Sequence, residues 1–172
     1  VPTSSRTASA AADMGIPLAT LEQQPRLDLA VDGVDEIDAD LNLIKGAGGA
    51  LLRERLVEAC AERFIVIADE TKRVDKLGKN CPVPVEVIRF GWKTTALRIE
   101  AIGGQPVQRC VNSESFITDE WHYILDCQFD SIGDVPSLAN KIKCLAGVVD
   151  HGLFVDMADQ AIIAGSHGVE VI

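Results

Sequence analysis

Four side chains capable of acid–base chemistry lie within one short stretch of the sequence: Asp32, Asp35, Lys45 and Glu54. The two aspartates could bind sugar hydroxyls and move protons between oxygens, or they could only stabilise turns, since Asp-Gly favours turns. Glu54 could be a general base beside a carbonyl, or a first-turn carboxylate placed for the helix dipole. Lys45 could stabilise an oxyanion or an enediolate, or it could be a solvated lysine at the end of an element.

A glycine-rich loop over residues 46–49 separates Lys45 from Glu54. Alternating apolar residues at Leu27, Leu29 and Val31 predict a strand before this region, and an alanine- and leucine-rich segment predicts a helix after it. Glycines let backbone N–H groups approach a ligand, and a helix N-terminus favours negative charge. The order of strand, polar loop and glycine-opened helix therefore predicts a site for an anionic small molecule. The loop lacks the dinucleotide-binding fingerprint and is a weak signal alone.

The composition limits the class of protein. The chain has 172 residues, 47% hydrophobic content and a net charge of −10. This charge argues against nucleic acid and anionic membrane surfaces as partners, because both require faces rich in Lys and Arg. No apolar run reaches the length of a membrane span.

Cysteine usage predicts the redox compartment. The five cysteines are an odd number without a C-x-x-C pair, and the three histidines are far apart. This pattern argues for free thiols in a reducing cytosol, and against a disulfide framework or a zinc site. We therefore expect a cytoplasmic protein without a metal.

The first part of the chain is predicted to be α/β. A helix is expected over 4–14, capped by Ser4 or Ser5 and ended by Gly15, and strands are expected over 16–21, 27–32 and 64–68. A second helix is expected over 50–62. Its apolar stripe consists of Leu52, Leu56 and Ala59, and Glu54, Glu58 and Glu62 lie on another face. The continuous apolar run at 64–68 is typical of a strand buried in a parallel sheet. Ligands of open α/β sheets bind at the carboxyl ends of strands, where Asp32 and Lys72 lie.

The composition changes near residue 81, and a different pattern follows. Strands are predicted over 85–88, 106–111, 122–127 and 147–149, with helices over 92–102 and 135–145. This βαββαβ order is typical of a ferredoxin-like unit. Strands over 161–164 and 169–172 could return to the first sheet. We predict a Rossmann-like, mostly parallel α/β domain of residues 1–80 and 152–172, and an α+β subdomain of residues 81–151 that forms subunit contacts.

At these residues the sequence resembles type A ribose-5-phosphate isomerases. The matching blocks are VDGVDEID (31–38), LIKGAGGALLRE (43–54), FIVIADETKRVDKLG (64–78) and PVPVEVI (82–88), with a looser match at GLFVDMADQAIIAG (152–165). The resemblance implies interconversion of ribose 5-phosphate and ribulose 5-phosphate in the non-oxidative pentose phosphate pathway. It also implies that no cofactor or metal is needed, and that the protein is a homodimer or homotetramer.

The resemblance also implies roles for single residues. Glu54 would shuttle a proton between C1 and C2, and Lys45 would hold substrate oxygens together with the glycine loop. Asp32 and Asp35 would serve ring opening and hydroxyl binding, and Lys72 would contact the substrate at its phosphate. The implied substrate-binding set is Asp32, Gly33, Val34, Asp35, Lys45, Gly46, Ala47, Gly48 and Lys72.

The sequence departs from the family at its start. The family begins with a helix, a strand and a phosphate loop rich in Gly, Ser and Thr, and this sequence starts after them. We therefore expect a sheet with uncovered apolar flanks and a site with fewer phosphate donors. The alternatives to an active isomerase are a sugar-phosphate sensor, which needs no base at Glu54, an inactive fragment, and a related coenzyme A transferase, which needs a different glutamate setting.

Overall fold

The computed structural model describes residues 1–130 and 132–172. Its elements in chain order are α1 (Ser5–Asp13), β1 (Ala30–Asp32), β2 (Glu36–Ile37), β3 (Leu43–Ile44), α2 (Leu51–Ala59), β4 (Phe64–Asp69), a 3₁₀ turn (Glu70–Lys72), β5 (Val83–Val87), α3 (Trp92–Glu100), β6 (Gly104–Gln108), β7 (Cys110–Val111), β8 (Glu114–Ser115), β9 (Tyr123–Phe129), α4 (Val135–Lys143), β10 (Val148–His151), β11 (Leu153–Phe154), β12 (Gln160–Gly165) and β13 (Gly168–Val171). Within these described ranges, no helix is long and apolar enough to cross a membrane.

The first sheet is mostly parallel, as predicted. Its strand order is β1-β4-β12-β13, with β4 parallel to both neighbours and β13 antiparallel to β12. Phe64 and Val66 of β4 are buried in its core, but Ile67 on the opposite face is about half exposed, as is Val31 of β1. The apolar run at 64–68 therefore lies in a parallel sheet with one face in the core, and the apolar side chains of its other face are partly exposed, as expected for a sheet with an uncovered apolar flank.

The second sheet has the strand order β10-β5-β9-β6, with every adjacent pair antiparallel. The four strands occur in the βαββαβ order, with α3 packed on β6 and α4 packed on β10. This arrangement confirms the predicted ferredoxin-like pattern. The assignment of residues 81–151 to a separate subdomain remains a prediction.

A third, small sheet of order β11-β3-β2 was not predicted, because its strands have only two residues each. It fixes the backbone of Lys45, whose N–H donates to Gly152 O at 2.9 Å. A side chain at Gly152 would collide with the Lys45 carbonyl, so only glycine allows this close approach. The small sheet therefore determines where Lys45 enters the site.

Two predicted strands in the chain differ from the structure. Residues 16–21 do not form a strand: Ile16 N–H donates back to Ala11 O at 2.9 Å, and Pro17 has no N–H to donate. The strand predicted over 106–111 ends at Gln108, after which Cys110 and Val111 pair with Glu114 and Ser115 in a short hairpin.

The helix α2 buries a different face from the one predicted. Leu51, Val57 and Glu58 are buried, whereas Leu56 of the predicted apolar stripe is 50% exposed. The prediction rested on the apolar stripe of Leu52, Leu56 and Ala59 alone. It was wrong because the Lys45 ammonium beneath the helix supplies a counter-charge for carboxylates that point inward.

Candidate active site

The four residues singled out for acid–base chemistry lie in one cavity of about 230 Å³. The cavity is lined by Asp32, Gly33, Val34, Asp35, Lys45, Gly46, Gly48 and Glu54. Asp32 is the last residue of β1, so the cavity lies at the carboxyl end of a parallel strand, where open α/β sheets bind ligands. Two members of the predicted set lie outside this lining. Ala47 joins the site through its backbone, and Lys72 lies in the 3₁₀ turn after β4, where its phosphate role remains a prediction.

Lys45 is the centre of the site's electrostatics. Its side chain is only 3% exposed, and its Nζ donates to Asp32 Oδ2 at 3.0 Å and to Gly33 O at 2.6 Å. Glu58 Oε1 lies 3.3 Å from Nζ, and Glu54 Oε2 lies 3.6 Å from it. One ammonium is thus surrounded by three carboxyl groups.

The protonation states follow from this arrangement. Burial lowers the pKa of Lys45, but Glu54, Glu58 and Asp32 more than offset that effect, so its pKa is raised and it stays charged. Burial raises the pKa of Glu54, and the Lys45 ammonium only partly counteracts this effect. A raised pKa makes Glu54 a stronger base once it is ionised, which suits removal of a proton beside a carbonyl.

Glu58 is a site residue that the sequence analysis grouped with Glu54 on one helix face but gave no role. Its side chain is 1% exposed, and neither carboxyl oxygen has a hydrogen-bond partner in the part of the chain that the structure describes. Burial raises the pKa of Glu58 to about 8. Residues four apart are neighbours on a helix, so a base at Glu54 could have indicated that Glu58, on the same predicted face, also lies close to the site.

The Glu58 pKa predicts how stability depends on pH. The pKa of an ordinary glutamate is 4.5, and that of Glu58 in the folded protein is about 8. Between these two pH values the folded state holds one more proton than the unfolded state, so the stability falls as the pH rises through this window. The loss is at most about 1.4 kcal/mol per pH unit. Glu58→Gln removes this titration, so we expect the variant to gain stability relative to the parent between pH 5 and pH 8.5. Urea unfolding at both pH values measures the difference.

Glu62→Gln is the matched control, because Glu62 is exposed just beyond the same helix. Its stability should follow that of the parent at both pH values. Parallel pH profiles for the parent and Glu58→Gln would contradict the assignment of a proton to Glu58.

The glycine loop is held in a conformation that requires glycine at two positions. Gly46 has φ of 103° and Gly49 has φ of 83°, both in the left-handed region. Asp35 connects the two loops of the site, because its Oδ2 accepts a hydrogen bond from Ala47 N–H at 2.8 Å. The loop is thus tied to the residues that follow β1.

Arg55 anchors the helix that carries both glutamates. Its guanidinium donates to Asp150 Oδ2 at 2.8 Å and to the carbonyls of His151 and Leu153 at 2.6 and 2.9 Å. It also stacks on the Phe154 ring at 3.9 Å from the ring centre, and the Lys45 ammonium lies 5.6 Å from the centre of the same ring. These contacts fix α2 to β10 and β11, and so fix Glu54 relative to Lys45.

The site offers a carboxylate base, a buried ammonium and a glycine loop. All five cysteines are free thiols, and no group of three or more His, Cys, Asp or Glu residues among 1–130 and 132–172 could hold a metal ion. An α/β fold with this constellation at the end of a parallel strand is suited to the chemistry of enzymes that transfer protons on small polar substrates.

Comparisons with known proteins give the family. The sequence profile of ribose 5-phosphate isomerase A (phosphoriboisomerase A) matches residues 1–168. The chain is 61% identical over 174 residues to a ribose-5-phosphate isomerase A of Synechococcus sp. (strain JA-3-3Ab), covering 100% of this chain and 76% of the relative. It is 54% identical over 170 residues to the Roseiflexus castenholzii protein of the same name, covering 98% of this chain and 73% of the relative.

Solved structures agree with the sequence relatives. A D-ribose-5-phosphate isomerase in complex with phospho-erythronic acid superposes with a TM-score of 0.96 at 39% identity, covering 100% of this chain and 76% of that chain. Ribose 5-phosphate isomerase from Plasmodium falciparum gives a TM-score of 0.95 at 42% identity, and the match covers 99% of this chain and 76% of that chain. The chain belongs to the ribose 5-phosphate isomerase A family, so the resemblance seen in the sequence is confirmed.

Proposed function

We propose that this site interconverts D-ribose 5-phosphate and D-ribulose 5-phosphate through an enediolate. The observation that carries the proposal is the pairing of Glu54 with Lys45. Glu54 Oε2 lies 3.6 Å from Lys45 Nζ in a cavity lined by polar groups. An aldose–ketose isomerase needs a base beside the substrate carbonyl and a positive charge for the oxygen that becomes negative. The family membership supports the same reaction.

Glu54 carries the proton in the proposed mechanism. In the open-chain aldose, the C2–H bond lies next to the C1 carbonyl, so removal of this proton gives an enediolate. Glu54 is 14% exposed, and burial raises its pKa, so the carboxylate accepts the proton and then returns it to C1. The C2–H bond breaks and a C1–H bond forms, with no net gain or loss of electrons.

Lys45 stabilises the negative charge of the intermediate. Its ammonium is already fixed by Asp32 and by Gly33 O, so it needs no reorganisation when the oxyanion forms. The hydroxyl proton of O2 must also reach O1 during the reaction. Asp32 and Asp35 line the cavity and are proposed to bind these hydroxyls and to assist ring opening.

The remaining assignments concern the substrate phosphate, the assembly and the location of the protein. Lys72 is proposed to contact the substrate phosphate, since the chain has a net charge of −10 and an anionic substrate requires local positive charge. A homodimer or homotetramer and a cytoplasmic location are proposed from the family resemblance and the free cysteines. The sensor and coenzyme A transferase alternatives are not favoured, because the matching relatives are named as isomerases.

The test is a steady-state assay of the chain with ribose 5-phosphate, combined with a binding titration. Phospho-erythronic acid, which is bound in one of the solved relatives, serves as the non-reacting ligand. An active isomerase turns over the sugar phosphate and binds the acid competitively. Binding without turnover would favour the sensor, and neither binding nor turnover would overturn the proposal for this chain.

A further inference from the structure

The Arg109 side chain joins the second sheet to the glycine loop of the site. Arg109 follows β6, and its side chain is 14% exposed. Its Nε donates to Asp126 Oδ2 at 2.9 Å, and a second guanidinium nitrogen bonds the other oxygen of the same carboxylate. The third nitrogen donates to Gly46 O at 2.9 Å and to Ala47 O at 3.0 Å.

These contacts fix the orientation of two successive peptide groups. In a planar trans peptide the C=O and the following N–H point in opposite directions. Because Arg109 holds the carbonyls of Gly46 and Ala47, the N–H groups of Ala47 and Gly48 point away from the guanidinium. The Ala47 N–H donates to Asp35, which lines the cavity. The N–H groups of Ala47 and Gly48 therefore point toward the cavity.

The Gly48 N–H has no hydrogen-bond acceptor among residues 1–130 and 132–172 in this arrangement of the loop. Gly48 is exposed where it lines the cavity, so its N–H is open to solvent or to a ligand oxygen. Backbone N–H groups that a glycine loop leaves without a protein acceptor are suited to bind ligand oxygens.

A second contact from the same sheet region restricts the loop. Phe116 packs directly over Gly49, where any side chain would collide with its ring. Phe116 N–H donates to Arg109 O at 2.9 Å, and the Arg109 guanidinium lies 5.8 Å from the ring centre. Arg109 and Phe116 therefore hold the loop from one side as a unit.

We propose that Arg109 is a positioning residue of the isomerase site: with Asp126 it orients the glycine loop so that the Gly48 N–H is presented to a substrate oxygen. This gives the second sheet a role in catalysis besides the subunit contacts predicted for it. The inference rests on the proposed function, since it assigns the loop to the same substrate.

Arg109→Met tests the proposal, because methionine keeps much of the apolar packing but removes every donor. A donor that binds the substrate in the ground state and the transition state alike affects KM more than kcat. We expect KM for ribose 5-phosphate, and Kd for phospho-erythronic acid, to rise about tenfold, the effect of losing one well-placed hydrogen bond. Added guanidinium ion should restore part of the lost affinity, and amide hydrogen exchange in residues 45–50 should become faster.

Arg98→Met is the matched control, because Arg98 also donates to a carbonyl, Ala146 O at 3.2 Å, but does not line the cavity. Its KM and loop exchange should equal those of the parent. A purely structural role for Arg109 would instead lower the active fraction, so kcat would fall at constant KM, and this result would overturn the proposal.

Arg109→Lys covers the case in which Arg109→Met does not fold. A lysine ammonium cannot bond Asp126 and both loop carbonyls in the guanidinium geometry, so KM should still rise. Unchanged KM in this variant would overturn the inference. An inactive parent would count against the proposed function, whereas an active parent with an unaffected Arg109 variant would count against the inference alone.

Discussion

Glu54→Gln is expected to lower kcat for the conversion of ribose 5-phosphate to ribulose 5-phosphate by about a hundredfold or more, the usual contribution of a positioned general base. The amide has nearly the same shape as the carboxylate but cannot accept the C2 proton. Glu54 Oε2 has no hydrogen-bond partner in the part of the chain that the structure describes. Lys45 keeps Asp32 and Gly33 O as partners when its 3.6 Å ion pair with Glu54 is removed, so the rest of the site should stay in place. KM and the binding of phospho-erythronic acid should therefore change much less than kcat.

The control for this prediction is Glu62→Gln, which changes an exposed glutamate close to the end of α2. The control should retain the activity of the parent. Equal rates in Glu54→Gln and the parent would show that another group removes the proton. A variant with normal kcat and a raised KM would make Glu54 a binding residue.

Lys45→Met is expected to reduce both activity and stability. The variant leaves Asp32, Glu54 and Glu58 without their shared counter-charge, and removal of one partner from a buried ion pair costs about 3–5 kcal/mol. Loss of a preorganised charge at the oxyanion costs about a hundredfold or more in kcat. Urea unfolding and the isomerase assay measure the two effects separately.

The stability loss should be smaller at pH 5 than at pH 8, because the abandoned carboxyl groups can then take up protons. The double variant Lys45→Met/Glu58→Gln removes one of these groups and should recover stability without recovering activity. Lys141→Met, at an exposed position on α4, is the surface control and should match the parent in both assays. Full activity in Lys45→Met would show that the Lys45 ammonium does not stabilise the oxyanion.

The sequence was sufficient to predict the parts of the fold that depend on long local patterns. The run at 64–68 became the central parallel strand β4, and Ser4 caps α1 as expected, with its Oγ accepting from Thr7 N–H at 3.1 Å. The elements that were missed depend on distant partners. The strand β3 has two residues and exists because β2 and β11 flank it, a pairing that no local pattern predicts.

The candidate site could be predicted only in part for the same reason. Asp32, Asp35, Lys45 and Glu54 are close in sequence and share one cavity. Glu58 was grouped with Glu54 but given no role, because a rule that separates polar from apolar faces cannot anticipate a buried ammonium beneath the helix. The contacts of Arg109 with the loop span more than sixty residues of sequence and follow only from the packing of two sheets.

The most direct test of the central claim is ¹H NMR of ribose 5-phosphate incubated with the chain in D₂O. Glu54 is 14% exposed, so the proton that it holds can exchange with solvent between removal from C2 and delivery to C1. The account predicts that ribulose 5-phosphate forms, that deuterium enters C1 and C2 over many turnovers, and that both processes become about a hundredfold slower or more in Glu54→Gln. Conversion without any deuterium incorporation, or equal incorporation in the variant, would contradict a proton transfer carried by Glu54.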